Sequence, residues 1–190
     1  MRAFIAIRLS VEVEDFLTGV QEKLKASGAD VKWVEPRNIH LTLKFLGERD
    51  NKRIEEAKTI LEETAARFNE YTLQPSSVGA FPDIRHPDII WIGVSQGTPE
   101  TVQLVQSIEE GICRIGIPKE KRPFACHITL GRSRTPKNIQ GLVEQLNILK
   151  EGFWEPAPVL KVDKITLFKS TLSSKGPLYE VLHEANLKKT

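Results

Sequence analysis

Cysteine is scarce in this chain: of 190 residues only Cys113 and Cys126 carry a thiol. Two are too few for a disulfide framework, and their spacing is not that of metal ligands. Cys126 adjoins His127, but neighbours on a strand face opposite ways, so a Cys–His nucleophile pair is not expected there. Long apolar runs are lacking as well. None approaches membrane-spanning length, and the first nine residues carry a charge inside their apolar run and no signal-peptide core. These absences lead to the expectation of a reduced, cytoplasmic protein with no membrane partner. Excess charge of either sign is also missing. The formal net charge is +2, so composition gives no broad field for a nucleic-acid duplex, and an anionic ligand has to be met by local placement.

What remains is ordinary globular material, 40% hydrophobic and 27% charged, enough for one domain or two small lobes. Arg2 to Leu9 reads as a strand, followed by a helix capped at Ser10 and stopped by Gly28. Val31 to Val34 is a short strand, the residues after Gly47 form a helix capped at Asp50 or Asn51, and strands follow at Thr72–Ala80 and Ile89–Val94. Phe81 to Asp88, with two prolines and two aspartates, reads as a loop. A helix then begins at Thr98-Pro99-Glu100, a basic loop spans Lys119 to Pro123, and a helix follows Thr135-Pro136. A closing hairpin turns at Ser173-Ser174-Lys175-Gly176. Short strands mixed with helices, with no Gly-rich phosphate loop after the first strand, predict an α+β fold with mostly antiparallel sheets.

One stretch organises the rest. Asn38-Ile39-His40-Leu41-Thr42-Leu43-Lys44-Phe45-Leu46-Gly47 recurs in reduced form as Cys126-His127-Ile128-Thr129-Leu130-Gly131. Alternation in an extended strand puts His40 and Thr42 on one face, about 7 Å apart, with Leu41, Leu43 and Phe45 on the other. A lone strand histidine is more often a packed structural residue than a catalyst. Two chance His-x-Thr-Leu matches in a chain with four histidines would arise in roughly one chain in several thousand. The two histidines lie 87 residues apart, near half the chain. The order of elements repeats around them, which suggests a pseudo-symmetric site to which each half contributes one strand. The whole chain, 1–190, then reads as a single bilobal domain with halves near 1–95 and 96–190.

Two imidazoles with ordinary pKa values near 6.5 can serve at once as general base and general acid around neutral pH. The threonine hydroxyls beside them can donate to an anion, and the substrate that suits the set is a phosphodiester. Lys44 continues the His40–Thr42 face, which makes it a candidate contact for the substrate backbone, against the plainer reading of a solvated lysine at a strand end. His86, in the proline-rich loop, and His183, with Tyr179, Val181 and Ala185 as same-face neighbours, read as structural or surface residues.

On these residues the chain resembles the two-histidine phosphoesterase superfamily, and within it the RNA 2′,3′-cyclic phosphodiesterases of the 2′-5′ RNA ligase group. The resemblance covers nearly the whole chain. It rests on Arg2-Ala3-Phe4-Ile5-Ala6-Ile7, Trp33, the two histidine motifs, Gly79-Ala80-Phe81-Pro82, Trp91, Arg122-Pro123-Phe124 and Arg132. It implies a bilobal α+β fold with a central cleft between two sheets and helices outside, His40 and His127 as acid and base, and Thr42 and Thr129 holding the phosphate. It also implies Arg132 as a phosphate contact and Phe4 in the base pocket. No metal or other cofactor is implied. The partners are RNA with 2′,3′-cyclic phosphate ends, tRNA fragments among them, and the chain is expected to be a monomer. The products implied are a 2′-phosphate and, in reverse chemistry, a 2′-5′ linkage. Cys126 departs from the family, whose second motif is commonly preceded by Pro. Strict alternation sets Arg132 opposite His127, so it reaches the cleft only if the strand bulges near Gly131. The rival readings are a non-catalytic module gripping an RNA end, and a metal-dependent hydrolase, for which Glu35 and Glu48 in flanking turns are the nearest acids.

Overall fold

β1 (Arg2–Arg8) runs directly into α1 (Val11–Lys25), whose start is set by Ser10: its hydroxyl accepts the Val13 amide at 3.5 Å. Glu12 and Glu14 occupy the electropositive first turn of this helix, and Lys23 and Lys25 its last. In this computed structural model residues 1–152, 157–174 and 176–189 are described. β2 (Val31–Trp33) and a single 3-10 turn over Pro36–Asn38 lead to β3 (His40–Glu48). α2 (Asn51–Ala65) begins where the Asp50 carboxylate accepts the Arg53 amide at 2.8 Å. Then come β4 (Tyr71–Leu73), β5 (Pro75–Asp83), β6 (His86–Val94) and α3 (Thr98–Arg114). β7 (His127–Ser133), α4 (Ile139–Gly152), β8 (Leu160–Val162), β9 (Lys164–Ser173) and β10 (Gly176–Asn186) complete the order.

Among the described residues the strands form two four-stranded antiparallel sheets, ordered β10-β9-β1-β3 and β2-β7-β6-β5, with β4 and β8 as a separate ribbon. The α+β architecture with antiparallel sheets is the one expected. The two sheets repeat one another: Ala6 pairs with Thr42 and Thr166 in the first, and Trp91 pairs with Thr129 and Gly79 in the second. β1, β3 and β9 therefore correspond to β6, β7 and β5. By this correspondence one repeat runs from β1 to β5 and the other from β6 onward, so β5 leaves the first repeat to edge the second sheet, while β9 crosses back to complete the first. α2 and α3 pack on the first sheet, and α4, with α1 against it, on the second. Between helices and sheets lies the main core, with Leu17, Leu24, Leu41, Leu61, Ile90, Ile92, Leu104 and Ile108 wholly buried. Among the described residues no helix is long and apolar enough to cross a membrane.

The expected loop over Phe81–Asp88 is instead a tight hairpin. Pro82 and Pro87 pair with each other where the ladder is already irregular, and Asp83 Oδ1 accepts the Arg85 and His86 amides at 2.8 and 3.1 Å. A carboxylate that caps two amides in this way closes the turn without extra residues. At the other hairpin Ser173 donates to the Gly176 carbonyl at 2.7 Å, while Lys175 lies outside the described residues.

Candidate active site

β1 and β3 do not keep step. Ala6 pairs with Thr42 but Ile5 pairs with Lys44, which leaves Leu43 as an extra residue. A bulge of this kind exchanges the faces of the side chains that follow it, here Lys44 and Phe45, up to a second irregularity at Leu46. Lys44, expected on the histidine face, is therefore turned into the interior at 2% exposure, and Phe45, expected inside, emerges at 55%. Lys44 Nζ donates to the Pro118 carbonyl at 2.9 Å and pairs with Glu109 at 2.8 Å and Glu120 at 3.5 Å. Its hydrogen-bonding capacity is spent on the protein, which removes it from the candidate substrate contacts.

β7 carries the same irregularity at the equivalent place. Trp91 pairs with Thr129 and Ile90 with Gly131, so Leu130 is the extra residue and Arg132 is returned to the His127 side. Arg132 is exposed and close enough to Tyr179 to act on its phenol electrostatically. Two features fix this bulge. Gly131 lets β2 approach, since a Cβ there would lie 2.7 Å from Val31 Cγ1 and 2.9 Å from Trp33 Cε3. Gln21, the one polar residue on the buried stripe of α1, donates from Nε2 to the Leu130 and Val34 carbonyls, both at 2.9 Å.

The two histidines are held alike. His40 Nδ1 lies 2.7 Å from the Asn38 carbonyl, and His127 Nδ1 lies 2.6 Å from the Ala125 carbonyl. A carbonyl only accepts, so in each ring Nδ1 carries the hydrogen and Nε2 is left as the nitrogen that takes up or gives a proton. Each ring also rests on aromatics. His40 has Phe4 at 4.9 Å, Tyr179 edge-on at 5.4 Å and Phe168 at 6.4 Å. His127 has Phe81 edge-on at 5.1 Å and Trp91 at 6.4 Å. Burial lowers the pKa of His40, against the upward pull of the Asn38 carbonyl. The neutral base form of His40 is thus favoured in the free protein.

Thr42 and Thr129 are half-buried beside the rings, and among the described residues their hydroxyls have no hydrogen-bond partner. Phe4, assigned by resemblance to a base pocket, is 3% exposed and stacked on Phe168 at 5.1 Å; it supports His40 from beneath and offers almost no surface to a base. The same face holds Tyr179, whose phenol pKa is raised by burial and pulled back by Arg2 and Arg132. Tyr179, Arg2 and the exposed Phe45 are site neighbours that local motif reading missed. Tyr179 comes from the far strand β10, so only the sheet order could have placed it. A further bulge, between Val181 and His183, turns His183 away from Tyr179 onto α2, where Nε2 meets Glu62 at 2.7 Å. His86 is exposed at the hairpin, 3.5 Å from Asp83. The Cys126 thiol, raised in pKa by burial, bonds towards Thr98 and Thr101 of α3. Among the described residues no three His, Cys, Asp or Glu side chains gather as metal ligands would.

Repetition of strand, bulge, histidine and threonine in both halves has a counterpart among known proteins. A family model described as LigT like Phosphoesterase matches residues 7–91 and again 92–179. The chain belongs to this LigT-like phosphoesterase family. An RNA 2′,3′-cyclic phosphodiesterase of Methanothermobacter thermautotrophicus is 30% identical over 94% of this chain and 95% of its own. One from Aquifex aeolicus is 31% identical over 97% and 96%. Among solved structures, TT0787 of Thermus thermophilus superposes with a TM-score of 0.79 at 26% identity, covering 98% of both chains. Escherichia coli LigT in apo form gives 0.75 at 25% identity, covering 98% of this chain and 96% of its own. Within a LigT-like fold the paired imidazoles stand on equivalent strands, one from each sheet.

Proposed function

We propose that this LigT-like protein hydrolyses RNA 2′,3′-cyclic phosphate ends to 2′-phosphomonoesters, with His40 and His127 as the proton-transfer pair. The observation that carries the reading is the matched Nδ1–carbonyl bond in both rings, which leaves two Nε2 atoms free for protons. In the step, one neutral Nε2 takes a proton from water as its oxygen bonds to phosphorus. The P–O3′ bond breaks, and the other imidazolium delivers its Nε2 proton to O3′. Thr42 and Thr129 donate to the non-bridging oxygens, and Arg132 offsets the charge gathering on them. A 5′-hydroxyl in place of water gives a 2′-5′ linkage by the same proton movements. The names of the relatives, RNA 2′,3′-cyclic phosphodiesterases, support RNA as the substrate class, and the cytoplasm as the site of action and a monomeric state are part of the same reading.

The test is hydrolysis of nucleoside 2′,3′-cyclic phosphates in the presence of a chelator, with identification of the product isomer. His40→Ala and His127→Ala should each lose about 10²- to 10⁴-fold in kcat while remaining folded. Full activity in a folded His40→Ala variant would sink the paired mechanism. Loss of activity on chelation, restored by a divalent ion, would replace it with a metal-made nucleophile. Binding of the cyclic end with no turnover would favour the non-catalytic module.

A further inference from the structure

The bulge at Leu43 does more than remove Lys44 from the cleft, because it brings Phe45 out beside a second cavity. Lys44, Phe45, Arg49, Pro118 and the loop to Arg122 bound a groove of about 570 Å³. The Phe45 ring lies 6.2 Å from Phe4, whose ring lies 4.9 Å from His40, so the groove starts one aromatic ring from the proposed acid–base pair. Its charge is lopsided. Lys44 is matched by Glu109 on the floor, while Lys119, Lys121 and Arg122 are exposed and, among the described residues, form no ion pair. Arg49 Nε is buried without a hydrogen-bond partner. Four cations against Glu120 concentrate on one rim more charge than the +2 of the whole chain. The rim itself is held in place: the Glu109 carboxylate accepts the Glu120 amide at 3.2 Å, and Lys44 Nζ holds the Pro118 carbonyl.

An exposed aromatic ring beside unpaired cations suits a chain that alternates flat bases with phosphates, since every base has a face to stack and every phosphate a charge to meet. A carboxylate-bearing peptide could use the cations but would leave Phe45 idle. We propose that this groove binds the single-stranded RNA segment on the 5′ side of the cyclic phosphate, with Phe45 stacking a base and Arg49, Lys119, Lys121 and Arg122 contacting phosphates. The proposal rests on the assignment of an RNA end to the cleft. A cyclic phosphate occupies the 3′ end of a strand, so whatever else the substrate carries must leave the cleft in the 5′ direction.

Binding is measured apart from chemistry, by fluorescence anisotropy of the full chain with a labelled hexa-adenosine bearing a plain 3′-hydroxyl. The Lys119→Ala/Lys121→Ala/Arg122→Ala variant should bind about 10- to 100-fold more weakly at low salt, with a salt slope shallower by about 2, as expected for three lost contacts to a single strand. Phe45→Ala should weaken binding by about tenfold and leave the salt slope as it was. With cyclic-phosphate ends, the ratio of kcat/KM for the hexamer to that for the mononucleotide should fall by the same factors. All four altered side chains are exposed, and melting temperatures check that the variants fold. Binding within twofold of the native protein in both variants would overturn the proposal. So would displacement of the RNA by a hexaglutamate peptide at equal concentration. If neither cyclic substrate is hydrolysed while the binding losses hold, the hydrolase reading fails and the groove stands.

Discussion

Replacing Lys44 with Met tests the buried network beneath that groove. Methionine has nearly the length of the lysine stem and fills its volume, so the perturbation is the loss of the ammonium alone. In the native protein Nζ meets Glu109 at 2.8 Å and the Pro118 carbonyl at 2.9 Å, with the Lys44 and Glu109 side chains 1% and 12% exposed. Removing one partner of a buried pair strands the other, at about 3–5 kcal/mol. The low end applies here, because Glu109 keeps the Glu120 amide and some contact with water. About 3 kcal/mol corresponds to a fall in Tm of about 6–12 °C for a chain of this size. The companion variants are Glu109→Leu and the double Lys44→Met/Glu109→Leu, each measured by urea unfolding at neutral pH. The double variant should be more stable than the sum of the singles implies, by about 2 kcal/mol. Lys44→Met within about 0.5 kcal/mol of the native protein, or strict additivity, would refute the network; both thresholds lie at about the error of such measurements.

Gln21→Leu removes the side-chain donor to the Leu130 and Val34 carbonyls. Leu130 keeps the Val34 amide at 2.8 Å, so the Val34 carbonyl is the acceptor stranded and the variant should cost about 1–3 kcal/mol in urea unfolding; a neutral result would show that the β7 bulge holds without it. Gly79→Ala places a Cβ 2.3 Å from the Trp91 ring, which must shift beside His127, so stability should fall by about 1–3 kcal/mol with loss of hydrolysis, and an unchanged Tm and rate would count against that packing. The pH dependence has a definite sign. Burial lowers the folded pKa of His40 below 6.5, so the unfolded chain binds the proton more readily, and His40 contributes stability that is complete above about pH 6.5 and lost as pH falls through the folded value. A urea series from pH 7 to pH 5 should show this loss in the native chain and a smaller one in His40→Phe; equal losses would assign it elsewhere.

The α+β class, the antiparallel sheets and most element boundaries were legible in the sequence, because helix caps such as Ser10 and Asp50 and the apolar stripes behind them are local signals. The paired histidine strands were legible because they repeat. What alternation misread lies past a bulge in two strands. Lys44 and Phe45 exchange faces after Leu43, and His183 leaves the Tyr179 face after Leu182. Nothing in Leu43 or Leu182 marks the extra residue, since a bulge belongs to the pair of strands and not to either sequence. Only at Leu130 did a neighbour, Gly131, supply a sign. The hairpin at Phe81–Asp88 was hidden for a related reason: its prolines are harmless where they face each other across an already broken ladder, and that pairing is invisible until the strands meet.

The crossing of β5 and β9 bears on how such a molecule can come apart and how it can have arisen. Each sheet takes its edge or inner strand from the other half of the chain, so neither half contains the partners its own hydrophobic faces require. A single repeat running from β1 to β5, made alone, would expose an unfilled place beside β1 and offer β5 with nowhere to go, and a second copy would satisfy both needs at once by reciprocal exchange. Two identical half-length chains could therefore have closed on one another to form a twofold dimer with a histidine from each, and joining them end to end would preserve the pairing of the three equivalent strands in each sheet. In the joined chain the exchange acts as a clasp: opening one lobe pulls a strand out of the other, so the two sheets are bound to melt as one unit.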